Sequence, residues 1–104
     1  MTGRPAAFCF GPAHVVVHGN PAFIVAFGAA AVGVPAREFL VELASAAFDV
    51  MDAVLASGKP MATWLPGRDE DWRLTVAPRI DPETGETYGV SIHLRARSDV
   101  PILA

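Results

Sequence analysis

Two histidines stand four apart in HVVVHGNPAF, at His14 and His18. On a helix that spacing would put both rings on one face, where they could grip a metal ion. On a strand they share a face but lie about 13 Å apart along it, whereas zinc wants each ligand nitrogen at about 2 Å. The valines between them are strand formers. The stretch therefore predicts a strand with two partly exposed polar positions and no metal site. Cys9, the single cysteine, has no basic neighbour in sequence to activate it and is expected to serve as a small apolar strand residue. Glu38/Glu42 and Asp49/Asp52 have the i,i+4 and i,i+3 spacing of paired carboxylates. They fall opposite an apolar stripe, so a solvated helix face is expected instead. His93 with an acidic partner is the remaining acid–base candidate. The chain has no Gly-x-Ser-x-Gly elbow, no phosphate-cradling glycine loop and no helical His-x-x-x-His.

The chain has 104 residues, enough for one domain with a modest core. Hydrophobic residues make up 52% and charged residues 18%, which excludes a disordered chain. The net charge is −3 and the basic residues are scattered in sequence, so no nucleic-acid partner is expected. A lone cysteine offers no disulfide framework and suits a reducing cytoplasm. No charge falls between Arg4 and Arg37, yet the clean apolar run from Ala22 to Val34 is short and holds Gly28 and Gly33. A bilayer span needs about 20 residues, so no membrane segment is expected.

The elements follow from local pattern. Residues 6–10 (AAFCF) read as a strand, Gly11-Pro12 as a turn, and His14 to His18 as a second strand. Asn20 can cap a helix with Pro21 at its first position and Gly28 ending it. From Pro35, the residues Leu40, Leu43, Ala47, Met51 and Val54/Leu55 recur at helical spacing, with a break expected near Ala44 and Gly58 past the end. Met61–Leu65 is a strand, Pro66–Asp71 a polar turn, and Trp72–Ala77 an alternating strand with Trp72, Leu74 and Val76 on one face. DPETGE (residues 81–86) is a hairpin connection, and Tyr88–Arg97 alternates again. The order is β-β-α-α(α)-β-β-β: an α+β fold with a five-stranded antiparallel sheet and helices on one face. The whole chain is one domain, with its core at about residues 6–97 and a tail at 98–104.

Four segments in this order resemble the PAS domain, a small sensory module of bacterial signalling proteins. VVVHGNPAFIVAFG resembles the family's second strand running into its first helix. GVPAREF resembles its Gly-x-Pro lead-in to the later helices. DAVLASGKP is similar to the V-L-x-x-G-x-P end of its long helix. WRLTVAPRIDPETGETYGVSIHL is similar to its last two strands. The chain departs from the pattern between Gly28 and Gly33, where it is shorter and alanine-rich, and after the last strand, where RARSDVPILA replaces the usual Asp-x-Thr element. The resemblance implies a stand-alone module or one excised from a larger signalling protein.

The resemblance also implies a non-catalytic sensor whose small ligand, if it has one, sits between sheet and long helix. The expected lining is Phe23, Phe39, Phe48, Met51, Trp72, Leu74, Val76, Ser91 and His93. Flavin-binding relatives carry a cysteine, and haem-binding relatives a histidine, in the helical crossover. Residues 28–60 hold neither, so no cofactor is expected. Two readings of the last strand conflict. Burial logic puts Val90, Ile92 and Leu94 inward. The family register puts Ser91 and His93 inward and leaves Val90, Ile92 and Leu94 as a homodimer interface across the sheet. The family register is the one favoured here. A histidine kinase or other signalling protein is the implied partner. Two alternatives stand beside the sensor: a small enzyme of the cone-shaped barrel type working through His93, and a ligand-free dimerisation domain with a filled core.

Overall fold

Alternating burial selects the strands. AAFCF is β1 (Ala6–Phe10), with Ala7 and Cys9 buried. VVVHG is β2 (Val15–Gly19), with Val16 buried. Three strands close the chain: β3 (Met61–Leu65), β4 (Trp72–Ile80) and β5 (Thr87–Ala96). The computed structural model describes residues 4–39, 45–66 and 70–99. It assembles the strands into one sheet of order β2-β1-β5-β4-β3. Every pairing is antiparallel. The first and last strands thus meet at the sheet centre, where β1 lies against β5, and the helices form the connection between β2 and β3.

Helix α1 (Pro21–Phe27) begins as its residues dictate. Asn20 is extended and its side chain accepts the Phe23 N–H, Pro21 occupies the first turn, and Gly28 ends the helix by donating its N–H to Ile24 O at 2.7 Å. A 3-10 turn at Ala29–Ala31 and a short α2 (Ala36–Phe39) follow. Helix α3 (Ser45–Ser57) buries Ala47, Phe48, Met51 and Val54 on one stripe and leaves Asp49 and Asp52 outward. Gly58, at φ +69°, closes it with its N–H on Val54 O at 2.9 Å. The break expected near Ala44, with Leu40 and Leu43, lies outside the described residues.

The sequence expectations differ from the structure in three places. His14 is not on β2 but in the turn before it, with φ +52°. Strand β4 does not end at Ala77; its pairing with β5 continues through Pro78 opposite Val90 to Ile80. The third difference is the face of β5. Val90, Ile92 and Leu94 are at most 3% exposed and sit in the core with Met51, Val54, Leu74 and Val76. They form no dimer surface. The physical reason is the one burial logic gives: a small sheet has one apolar face to hide under its helices, and β5 hides its branched residues there.

Two bulges adjust the sheet. Phe8 pairs with His18 and Cys9 with Val16, so Val17 is the extra residue of edge strand β2. Arg79 pairs with Gly89 and Ile80 with Thr87, so Tyr88 is the extra residue of β5. A bulge re-aims a side chain, and the Tyr88 ring comes to lie 6.2 Å from that of Phe10. No helix among the described residues is long and apolar enough to cross a membrane.

Candidate functional site

The region between sheet and helices draws its residues from the strands and from α1 and α3. Asn20 fastens its near edge: Oδ1 accepts the N–H of Phe23 at 2.8 Å and of Ala6 at 3.0 Å, while Nδ2 donates to Arg4 O at 2.8 Å. That clamp ties the start of β1 to the start of α1 and drives Phe23 into full burial. Phe48 and Met51 of α3 and Leu74 and Val76 of β4 are buried in the same cluster, and Trp72 packs half-buried against it. Of the expected lining, Phe23, Phe48, Met51, Trp72, Leu74 and Val76 therefore converge on one interior. Ser91 and His93 do not. They lie on the opposite face of β5, and His93 is exposed. Phe39 ends α2, and its side chain lies outside the described residues.

Sequence reasoning missed a polar side chain that the fold buries. His14 is 0% exposed, the only buried polar or charged residue among those described. Its Nε2–H donates to Asp52 Oδ1 of α3 at 2.7 Å, and the other carboxylate oxygen accepts from Arg37 Nη2 of α2 at 2.5 Å. Arg37 in turn lies over the Phe48 ring, 4.8 Å from its centroid. The chain so joins the β1–β2 turn to both helices through one carboxylate. Backbone contacts hold the same turn: Ala36 N–H donates to His14 O at 3.0 Å, and Val16 N–H to Val34 O at 3.1 Å.

Electrostatics follow from the geometry. Partial burial raises the Asp52 carboxyl, but the His14 hydrogen bond and the Arg37 guanidinium outweigh it, and the group sits below its ordinary value. In the tautomer that commits Nε2–H to Asp52, Nδ1 of the His14 ring is left as an acceptor. That atom is buried and has no hydrogen-bond partner among the described residues. His14 also holds a left-handed backbone, which costs a non-glycine residue of order 1 kcal/mol. A buried acceptor left without a donor costs a further 1–3 kcal/mol or so. The signal available in sequence was only the turn GPAH, which places a polar residue where a left-handed conformation is common. Its bond to Asp52, 38 positions away, has no local signature.

Cys9 is buried, and burial pushes its thiol up to about 11. His18 lies at the other face, 5.7 Å from the Phe8 ring. No group of three His, Cys, Asp or Glu side chains among the described residues is arranged to hold a metal ion.

The outer sheet face has a different chemistry. The arginines that look scattered in sequence are gathered by the fold. Arg73, Arg79 and Arg95 alternate with the inward residues of β4 and β5. Arg79 lies 4.1 Å over the Phe8 ring and 5.7 Å from that of Tyr88, and Arg73 and Arg97 each lie 5.3 Å from the Trp64 ring.

No protein-family model matches the sequence, and no curated protein matches it. Solved structures do. A sensory box sensor histidine kinase from Vibrio cholerae superposes with TM-score 0.76 at 19% identity, covering 96% of this chain and 84% of that one. The PAS domain of the histidine kinase ThkA superposes with TM-score 0.72 at 12% identity, over 88% of this chain and 98% of the other. This chain has the PAS fold. At these identities the likeness establishes the fold, and the long-range pairing of β1 with β5 and the α3 crossover are its parts. A third PAS-fold neighbour is Vibrio cholerae VqmA, solved as a complex with ligand and DNA. Its TM-score is 0.72 at 17% identity, over 98% of this chain and 49% of VqmA, so this chain spans about half of that protein.

Proposed function

We propose that this PAS-fold chain is a non-catalytic sensory and protein-interaction module of bacterial signal transduction, which takes a small molecule into the interior between sheet and helices. The observation that carries the reading is His14. A fully buried imidazole, oriented by a carboxylate and offering an unpartnered nitrogen, is an acceptor waiting for a donor. The ligand class is therefore a small molecule with an O–H or N–H group to donate, on a body apolar enough to enter a core whose buried side chains are, His14 apart, hydrophobic. Because His14 also holds Asp52 and, through it, Arg37, a molecule bound at Nδ1 would bias the placement of α2 and α3 against the β1–β2 turn. The solved ligand complex of VqmA, which has the same fold, supports a ligand role. The sensor kinases among the structural neighbours support a histidine kinase or other signalling protein as partner.

Nitrogen-15 spectra of the histidine rings test this. Protein stripped by urea and refolded is compared before and after addition of a small-molecule extract of its host. The Nδ1 resonance of His14 should move from a free to a hydrogen-bonded acceptor value while Nε2–H stays in place. An unchanged Nδ1 resonance would leave the ligand-free dimerisation domain as the better account.

A further inference from the structure

The two edges of the sheet differ. On one side the outer strand is β2, and its edge is closed. Val16 donates its N–H to Val34 O at 3.1 Å and accepts that of Gly33 at 2.6 Å, Val15 bridges to Pro35, and Val17 bulges out of register. A covered and bulged edge is protected against further pairing. On the other side the outer strand is β3, which has no such protection. Its residues MATWL carry no charge and pair with β4 without a bulge. Among the described residues their backbone groups bond only to β4.

Ladder alternation shows which of those groups stay open. The Arg97 N–H donates to Asp71 O, so every second residue from Asp71 directs its backbone groups to β5, while Trp72, Leu74 and Val76 direct theirs to β3. Their partners there are Leu65, Thr63 and Met61. Ala62 and Trp64 are left with N–H and C=O groups pointing away from the sheet, and both residues are exposed. The next outward positions are Pro60 and Pro66, and neither has an N–H to offer.

We propose that β3 pairs antiparallel with β3 of a second copy of this chain, about a two-fold axis at Thr63, so that two sheets join edge to edge. Ala62 of each copy then faces the partner's Trp64, and every outward N–H and C=O of those residues is satisfied. The prolines select this register. Shifted by two residues one way, Trp64 would meet Pro60 of the partner; shifted the other way, Ala62 would meet Pro66, and a donor would be lost in either case. Side-chain size suits the same register. The large Trp64 comes beside the small Ala62, and Met61, 42% exposed, is covered beside the partner's Leu65. Charge suits it too. Lys59 precedes the strand, exposed and without an ion-pair partner among the described residues, whereas Glu70 and Asp71 follow it. Antiparallel pairing brings each Lys59 toward the acidic end of the other copy. An unrelated extended segment would meet the same backbone groups without this match of prolines, sizes and charges. So short a contact belongs to the small, transient class of interfaces, and the dimer forms as concentration rises.

The inference is independent of the interior reading. Amide spectra and sedimentation of the chain from about 10 μM to about 1 mM test it. As concentration rises, the Ala62 and Trp64 amides should shift to hydrogen-bonded values and gain protection from exchange, while those of Met61, Thr63 and Leu65, already bonded to β4, hold steady. Thr63→Cys should close a symmetric disulfide on oxidation, at least about tenfold faster than Glu83→Cys in the β4–β5 connection, because residues opposed at a non-hydrogen-bonded pair lie about 4.5 Å apart. The native Cys9 is buried and takes no part. Ala62→Pro withdraws an outward donor, leaves the β4 ladder whole, and should weaken dimerisation by about tenfold or more. A monomer throughout the range would overturn the proposal. So would a dimer in which the Ala62 and Trp64 amides do not respond, equal disulfide rates at positions 63 and 83, or an Ala62→Pro dimer as tight as the parent's.

Discussion

His14 and Asp52 are joined across the fold at 2.7 Å, one fully buried and the other half-exposed at 49%. The contact makes a surface carboxylate of α3 answer to a turn between the first two strands. Because the acceptor is ionised, the bond is of the stronger kind. Replacing His14 with Ala should lower stability by about 2–3 kcal/mol, from the lost charged hydrogen bond and from the space left by a fully buried ring. Urea unfolding of the two proteins measures the difference. A change below about 0.5 kcal/mol, the size of an ordinary surface substitution, would show that the contact does not hold the turn.

The same carboxylate sets an acid limb. The folded Asp52 carboxyl lies below its ordinary value of 3.8, so its contribution to stability is full above that pH. It is lost as pH falls through the lower folded value. Asp52→Asn should therefore be less stable than the parent at neutral pH, and the gap should close in acid. Solvent screens a half-exposed group, so the gap is modest. Chemical denaturation at a series of pH values down to below 3.8 reads it. A gap that widens in acid would reverse the sign of the argument.

Cys9 is buried with its thiol pushed up to about 11. At pH 8 almost none of it is thiolate, and thiolate is the reactive form. A thiol reagent should label the native protein only at the rate of unfolding and label it at once in urea. Rapid stoichiometric labelling of the native chain would contradict the burial of β1.

Gly89 sits in β5 where β1 passes closest. A Cβ there would drive into the carbonyl oxygen of Cys9, a backbone atom with nowhere to retreat in mid-sheet. Gly89→Ala should cost about 2–3 kcal/mol by forcing the central strands apart. Gly85, at φ +74° with open space around it, sits in the β4–β5 connection. Substituting it would leave the sheet centre untouched, so it serves as the control for strain without a clash. Thermal melts of the two alanine variants separate these effects. Equal losses would mean that backbone strain, and not β1–β5 spacing, governs both.

Much of the fold was legible because local rules act alone in these segments. Asn20, Pro21 and Gly28 bound α1 by capping chemistry, and alternation along β5 marked its apolar face. The resemblance-based register overrode that alternation and put Ser91 and His93 inside, where the structure has Val90, Ile92 and Leu94. In this chain the apolar pattern was the better guide, because burial of branched residues outweighs a family's habit at one position. The site was less legible. The interior aromatic and aliphatic residues could be found by periodicity, but His14 could not. Its role depends on a partner on a helix far along the chain, and its left-handed turn breaks the strand that three valines advertise. The arginines of the outer face look scattered for the same reason. Alternation along β4 and β5 gathers them only once the strands are paired.

The central claim, that His14 anchors a small molecule in the interior, meets its most direct test in native mass spectrometry of the protein purified from its host. The parent chain should carry a discrete added mass that is released on denaturation. His14→Asn tolerates the left-handed turn but withdraws the ring nitrogen, and it should fold and appear at its bare mass. A parent chain at bare mass, or the same added mass on both proteins, would contradict the account.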